Sequence, residues 1–157
     1  MRPLRRAAVV LATLLLVVAG CQDREPASCD AEDRQPRRDE VEQMSPATRD
    51  SIARAFSQKN RIQRVDLAQE ACHFRAAVRV DSLATRNYAV DEGMALMRVL
   101  KVNAPNETAL LQAKGGMLGE GIYDYIVTFR RVESDTSKKP LTRMVKRYDL
   151  PRVRWTR

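Results

Sequence analysis

Residues 122–132 constrain the fold more than any other stretch of this chain. Tyr123, Tyr125, Val127 and Phe129 fall on one side of an extended backbone, with Asp124, Thr128 and Arg130 on the other. Successive side chains of a strand point to opposite faces, so this period of two predicts a strand with one face in a core. Residues 72–80 repeat the pattern: Cys72, Phe74, Ala76, Val78 and Val80 against His73, Arg75 and Arg79. A third strand is expected over about 142–150, and Val153 and Trp155 alternate with Arg152 and Arg154 beyond it. Pro151 lacks an N–H to donate, which breaks that strand or puts it on an edge. Residues 61–68 are ambiguous, because Val65 and Leu67 alternate while Ile62 is out of step.

Two helices complete the pattern. Ser45 followed by Pro46 is a capping residue ahead of a proline at the first helical position. Ile52 and Phe56, four apart, then share one face of a helix over about 46–58, with Asn60 as a stop. Val90, Met94, Met97 and Leu100 recur at helical spacing over 88–102, with Asn87 as the expected cap and Asn103 and Pro105 at the end. Residues 106–113 read as one or two helical turns before the glycine-rich stretch 115–121. The expected fold is α+β, in the order α-(β)-β-α-β-β. A small antiparallel sheet of about three to four strands carries two helices on one face.

The N-terminus carries an address. Arg2, Arg5 and Arg6 precede the run Ala7–Val18, which is apolar apart from Thr13. That run is shorter than the roughly 20 apolar residues a spanning helix needs, and fits the core of an export signal. Val18-Ala19-Gly20-Cys21 follows, and it resembles the lipobox of bacterial lipoproteins. The resemblance covers residues 1–21 only. It implies a signal peptide over 1–20, cleavage before Cys21, and diacylglycerol on the Cys21 thiol. Two or more acyl chains anchor firmly, at about 0.8 kcal/mol per buried methylene. Gln22 stands where aspartate would resemble an inner-membrane retention signal, which favours the outer membrane, facing the periplasm. Residues 21–44 have almost no large apolar side chain to offset ordering entropy, and read as a flexible tether to a single domain over 45–157.

Charge is unevenly spread. Residues 21–50 hold nine acids and five arginines, whereas residues 130–157 hold ten bases and three acids. Arg130, Arg131, Lys138, Lys139, Arg143 and Arg147 are the candidate contacts for an anion such as peptidoglycan carboxylate or lipid phosphate. With Cys21 lipidated, Cys29 and Cys72 remain as candidates for a disulfide, or as two separate thiols. A bridge would close a loop of 44 residues, worth up to roughly 4 kcal/mol in the chain-entropy model.

Most enzyme classes lack their parts. His73 is the single histidine, on the polar face of a strand, and with two distant cysteines it offers no spaced zinc site. No Gly-x-Ser-x-Gly turn occurs, and the 115–121 glycines precede a strand, so they receive no phosphate at a helix end. Glu120 and Asp124 are too loosely related to set up paired-carboxylate chemistry; a cross-strand pair between Asp124 and Arg130 or Arg147 is expected instead. Tyr123, Tyr125, Phe129 and Trp155 among arginines suggest base stacking, but export removes nucleic acid as a partner. The expectation is a non-enzymatic lipoprotein without metal or cofactor. It is held to a membrane through Cys21 and binds an envelope protein or, alternatively, an anionic polymer or lipid through its basic C-terminal strands.

Overall fold

The computed structural model describes residues 41–107, 117–133 and 139–156. The expected export segment, Cys21, Cys29 and Lys138 lie outside the described residues, as do residues 108–113 of the turns expected over 106–113 and the glycines at 115 and 116. The fold is α+β, in the order α1 (Pro46–Ser57), β1 (Ile62–Glu70), β2 (His73–Val80), α2 (Arg86–Asn103), β3 (Asp124–Arg131), β4 (Thr142–Lys146) and β5 (Arg154–Trp155). Ser45 caps α1 as its sequence demands, its hydroxyl accepting from the Thr48 N–H at 3.1 Å. Thr85 caps α2, accepting from the Tyr88 N–H at 3.2 Å. Asn87, the expected cap, sits inside the first turn instead.

The sheet corrects the expected architecture in two ways. It has five strands, ordered as in the chain, and β2 and β3 run parallel at its centre while the other pairs are antiparallel. The ambiguous stretch 61–68 is a full edge strand, β1, paired with β2 from Ile62 to Glu70 across one irregularity. The parallel pair arises because α2 carries the chain back across the sheet, so β3 enters at the same end as β2. Such a crossover needs a dozen or more residues, and 43 separate Val80 from Asp124. Apolar alternation looks the same in either direction, so it does not reveal this. β4 stops at Lys146, and β5 is a two-residue edge strand after Pro151.

Register puts the apolar residues in rows on one face. Val65, Val78 and Phe129 form one row, Leu67, Ala76, Val127 and Met144 the next, and Gln69, Phe74, Tyr125 and Lys146 the third. Both helices contribute to the single core beneath this face, α1 through Ile52 and Phe56 and α2 through Met94, Leu96, Met97 and Leu100. α2 lies so close that a Cβ on Gly93 would sit 2.2 Å from Met144 Sδ. Phe74 stacks on Tyr125 at 5.4 Å and meets Tyr123 edge-on at 5.2 Å.

The docked chain begins before the expected boundary at 45. Met44 is buried, and its N–H donates to Gln69 Oε1 at 2.7 Å. Gln69 Nε2 donates to the Glu42 carbonyl, which also accepts from the Tyr123 hydroxyl. The end of the sequence read as tether is therefore hydrogen-bonded to the domain. Among the described residues no helix is long and apolar enough to cross a membrane.

Candidate functional site

The opposite face of the sheet is uncovered by either helix, and register fills it with arginine. One row reads Arg64, Arg79, Arg130; the next Asp66, Ala77, Thr128, Arg143; the third Ala68, Arg75, Ile126, Val145, Arg154. A final row, Glu70, His73 and Asp124, closes the end nearest the β1–β2 turn. Among the described residues, six arginines thus share this face with two surface acids, Asp66 and Glu70, over a floor of Ala68, Ala77, Thr128 and Ile126. A shallow, open depression of about 510 Å³ runs along this floor between Asp66, Arg75, Arg130 and Arg143.

Arg64 Nε donates to Asp66 Oδ1 at 2.8 Å, and Arg75 lies 3.2 Å from Glu70. Both pairs are well exposed, so each contributes at most about 1 kcal/mol and is readily exchanged for another anion. Arginine's planar fork suits carboxylate or phosphate, and guanidinium is weakly hydrated, so a partner's acid can displace water from it at modest cost. The face is laid out to hold negative charge. By strand spacing and rise, its four wider strands span on the order of 400 Å².

Of the six bases expected to bind an anion, the structure brings two together here, Arg130 and Arg143. Arg131 alternates to the other side and reaches the Ala84 carbonyl at 3.5 Å. Arg147 Nε donates to Asp149 at 3.0 Å in the turn after β4. Lys139 lies in the loop before β4, and Lys138 is outside the described residues. The arginines that sequence reading passed over are Arg64, Arg75, Arg79 and Arg154. Their signal was the polar half of the alternation in β1 and β2, which becomes a patch only when strands distant in sequence are paired.

A second concentration of charge lies within the core. Lys101, near the end of α2, is 2% exposed, and its ammonium donates to Glu107 and, at 2.8 Å, to the Glu120 carbonyl. The other Glu107 oxygen accepts from the Ile122 N–H at 2.9 Å. Gly121 completes the enclosure: a Cβ there would lie 1.6 Å from the Glu107 carboxylate and 2.6 Å from Lys101 Nζ. One glycine of the 115–121 cluster is therefore fixed by close approach to an ion pair. Beneath it Lys146, fully buried, has no hydrogen-bond partner for its ammonium among the described residues, and neither does the hydroxyl of its cross-strand neighbour Tyr125. Burial, reinforced by the Lys101 charge, pushes the Lys146 amine down to about 8. Burial raises the Tyr125 phenol, and the Glu107 charge adds to it. Sealed on all sides, this cluster presents no described surface to a ligand.

Three expectations about chemistry are met differently. Asp124 faces neither Arg130 nor Arg147. It is fully buried, accepts from the Tyr148 N–H at 2.7 Å and lies 3.3 Å from His73 Nε2, so it ties the turn after β4 to the start of β2. Glu120 is exposed and contributes its backbone carbonyl to Lys101. Tyr123, Tyr125 and Phe129 are buried under the helices and offer no stacking platform, while Trp155, 44% exposed, lies beside Arg86, Asn87, Val90 and Asp91 of α2.

Cys72 is disulfide-bonded, to a partner outside the described residues. Its sulfur lies 3.9 Å from His73 Nε2, the same nitrogen that faces Asp124. A sulfur committed to a disulfide, sharing one ring nitrogen with the carboxylate, does not make a nucleophile–base–acid relay. Among the described residues no group of three or more His, Cys, Asp or Glu side chains is placed to hold a metal. No family model, curated protein or solved structure matches this chain.

Proposed function

We propose that this chain is a non-enzymatic, membrane-anchored binding module. Lipid on Cys21 holds it in the bacterial envelope, on the outer membrane facing the periplasm, and its open sheet face docks an acidic segment of an envelope protein. The supporting observation is the arginine lattice: six guanidinium groups from five strands, in register on a helix-free face with a small apolar floor.

Size argues for a segment as occupant. Stable interfaces bury about 800 Å² on each partner, roughly twice this face, which suits an extended stretch of chain. Ala68 and Ala77, exposed on the face, meet its apolar side chains, and Arg75, Arg130 and Arg143 donate to its carboxylates. A photo-crosslinking residue in place of Ala77, which is exposed at the centre of the face, tests this in cells. A discrete, protease-sensitive adduct lost in high salt is expected. Adducts to the peptidoglycan or to lipid instead would replace the protein partner with an anionic polymer or lipid phosphate.

The anchor is tested by mass spectrometry of the processed chain, which carries diacylglycerol on Cys21 and begins there. The non-enzymatic reading fails if hydrolysis of peptidoglycan or simple esters is found and is abolished by His73→Ala or Asp124→Ala.

A further inference from the structure

The helix side of the sheet has a cleft of its own, remote from the arginine face. β5 is the last strand, and Trp155 stands in the row of Met144, on the side where α2 packs. α2 is drawn tightly onto β4 where Gly93 meets Met144. Its flank and the indole of Trp155 leave an open cleft of about 590 Å³ between them. The walls are Arg86, Asn87, Val90 and Asp91 from the first turns of α2, and Trp155 from β5. Ligand pockets generally measure about 300–1,000 Å³, so the size suits a small ring.

The indole is held in place through its neighbour. The Thr156 N–H donates to the Arg143 carbonyl at 3.0 Å, and the Thr156 carbonyl accepts from the Thr142 hydroxyl at 3.3 Å and from the Arg86 guanidinium. Arg86 thus clamps the end of β5 to α2 and sets the width of the cleft. Trp155 nevertheless keeps 44% of its surface in water. Asn87 and Asp91 are exposed beside it, and neither side chain has a hydrogen-bond or ion-pair partner among the described residues.

The cleft is therefore an aromatic plate flanked by an amide, a carboxylate and a guanidinium. One acid and one base balance: a cation would meet Arg86, and an anion would meet Asp91. A neutral ring with an apolar face and hydroxyls at its rim fits both demands. The C–H bonds of a pyranose pack on indole by dispersion. Each of its hydroxyls both donates and accepts, so a neighbouring pair can donate to Asp91 and accept from the Asn87 amide.

We infer that this cleft binds a pyranose ring of a glycan, stacked on Trp155 and hydrogen-bonded by Asn87 and Asp91. The arginine face lies across the sheet, so a glycan and a protein could be held at the same time.

The processed full-length chain is titrated with chitotetraose and with maltotetraose, in a polyoxyethylene detergent that offers neither sugar nor ammonium. Trp155 is the single tryptophan of the sequence, so its emission reports this cleft alone. A saturable change is expected with at least one sugar, and the tighter of the two assigns the glycan as amino sugar or plain hexose. Asn87→Ala and Asp91→Ala should each weaken binding about tenfold. By calorimetry, Trp155→Ala should abolish binding, and Trp155→Phe, which keeps an aromatic face, should retain part of it. Unchanged emission at millimolar sugar, or a change indifferent to both α2 substitutions, would overturn the inference. Tighter binding of tetramethylammonium or of adenosine would overturn it too, and would assign the plate to a cation or to a stacked base.

Discussion

Two regions of this domain gather charge, and they do so under opposite conditions. On the open face of the sheet, Arg64 and Arg75 stand in water, each beside an exposed acid that it holds loosely. Beneath α2, Lys101, Glu107 and Lys146 are shut away from water, with one carboxylate for two ammonium groups. Water screens the exposed pairs Arg64–Asp66 and Arg75–Glu70, so those charges add little to stability. The second set has lost hydration that only well-placed partners can replace, so each charge there bears on whether the domain folds. Similar side chains make a solvated patch in one place and a structural commitment in the other.

The largest effect should come from breaking the buried pair. Lys101→Met, or Glu107→Gln, is expected to lower stability by about 3–5 kcal/mol in chemical denaturation, because the remaining charge stays buried without its counterion. Gly121→Ala should approach that loss, since its methyl group cannot coexist with the Glu107 carboxylate as placed. A loss under 1 kcal/mol in all three would mean that the cluster is wet, and the contrast between the regions would collapse.

Lys146 gives a change of opposite sign. Its amine has an unfolded value of 10.5 and a folded value of about 8. Between these pH values the unfolded chain binds more protons, so stability rises with pH from about 8 to 10.5 and is flat with respect to this group below 8. The full gain is on the order of 3 kcal/mol. Lys146→Met should therefore stabilise the domain at pH 7 and abolish the alkaline rise; a pH profile unchanged by the substitution would show that the ammonium is solvated after all. Asp124→Ala comes next, at about 1–3 kcal/mol, because the Tyr148 N–H loses its buried acceptor. The smallest effects on stability belong to the open face. Arg75→Gln and Arg143→Gln should stay within about 0.5 kcal/mol while weakening capture of an acidic peptide and flattening its salt dependence. A large loss of stability there would mean that these arginines hold the fold together.

Alternation made β2 and β3 legible residue by residue, because their apolar and polar halves face two environments. The sequence could not show how those halves combine. The basic segment 130–157 looked like a patch along the chain, yet alternation divides it: Arg130 and Arg143 face outward, Lys146 points into the core, and Arg147 turns to Asp149. The rest of the patch comes from β1 and β2, which only register brings alongside. Lys101 and Glu107 were illegible for a different reason. A lysine in the last turn of a helix reads as a surface residue favoured by the helix dipole, and nothing in its neighbours marks the close approach of Gly121. The faint trace of that contact was the glycine itself, in a stretch that reads as a simple turn.

The parallel seam at the centre of the sheet also sets an order of assembly. A chain threaded out N-terminus first can close the β1–β2 hairpin early, since its partners adjoin in sequence. β2's other margin then waits, bare, through 43 further residues for Asp124–Arg131 to arrive. Long-range pairing of this kind is slow to form and leaves an adhesive edge open meanwhile. A chaperone that met the folding chain would find its work there, on one half-built strand, in the interval before the molecule can shut.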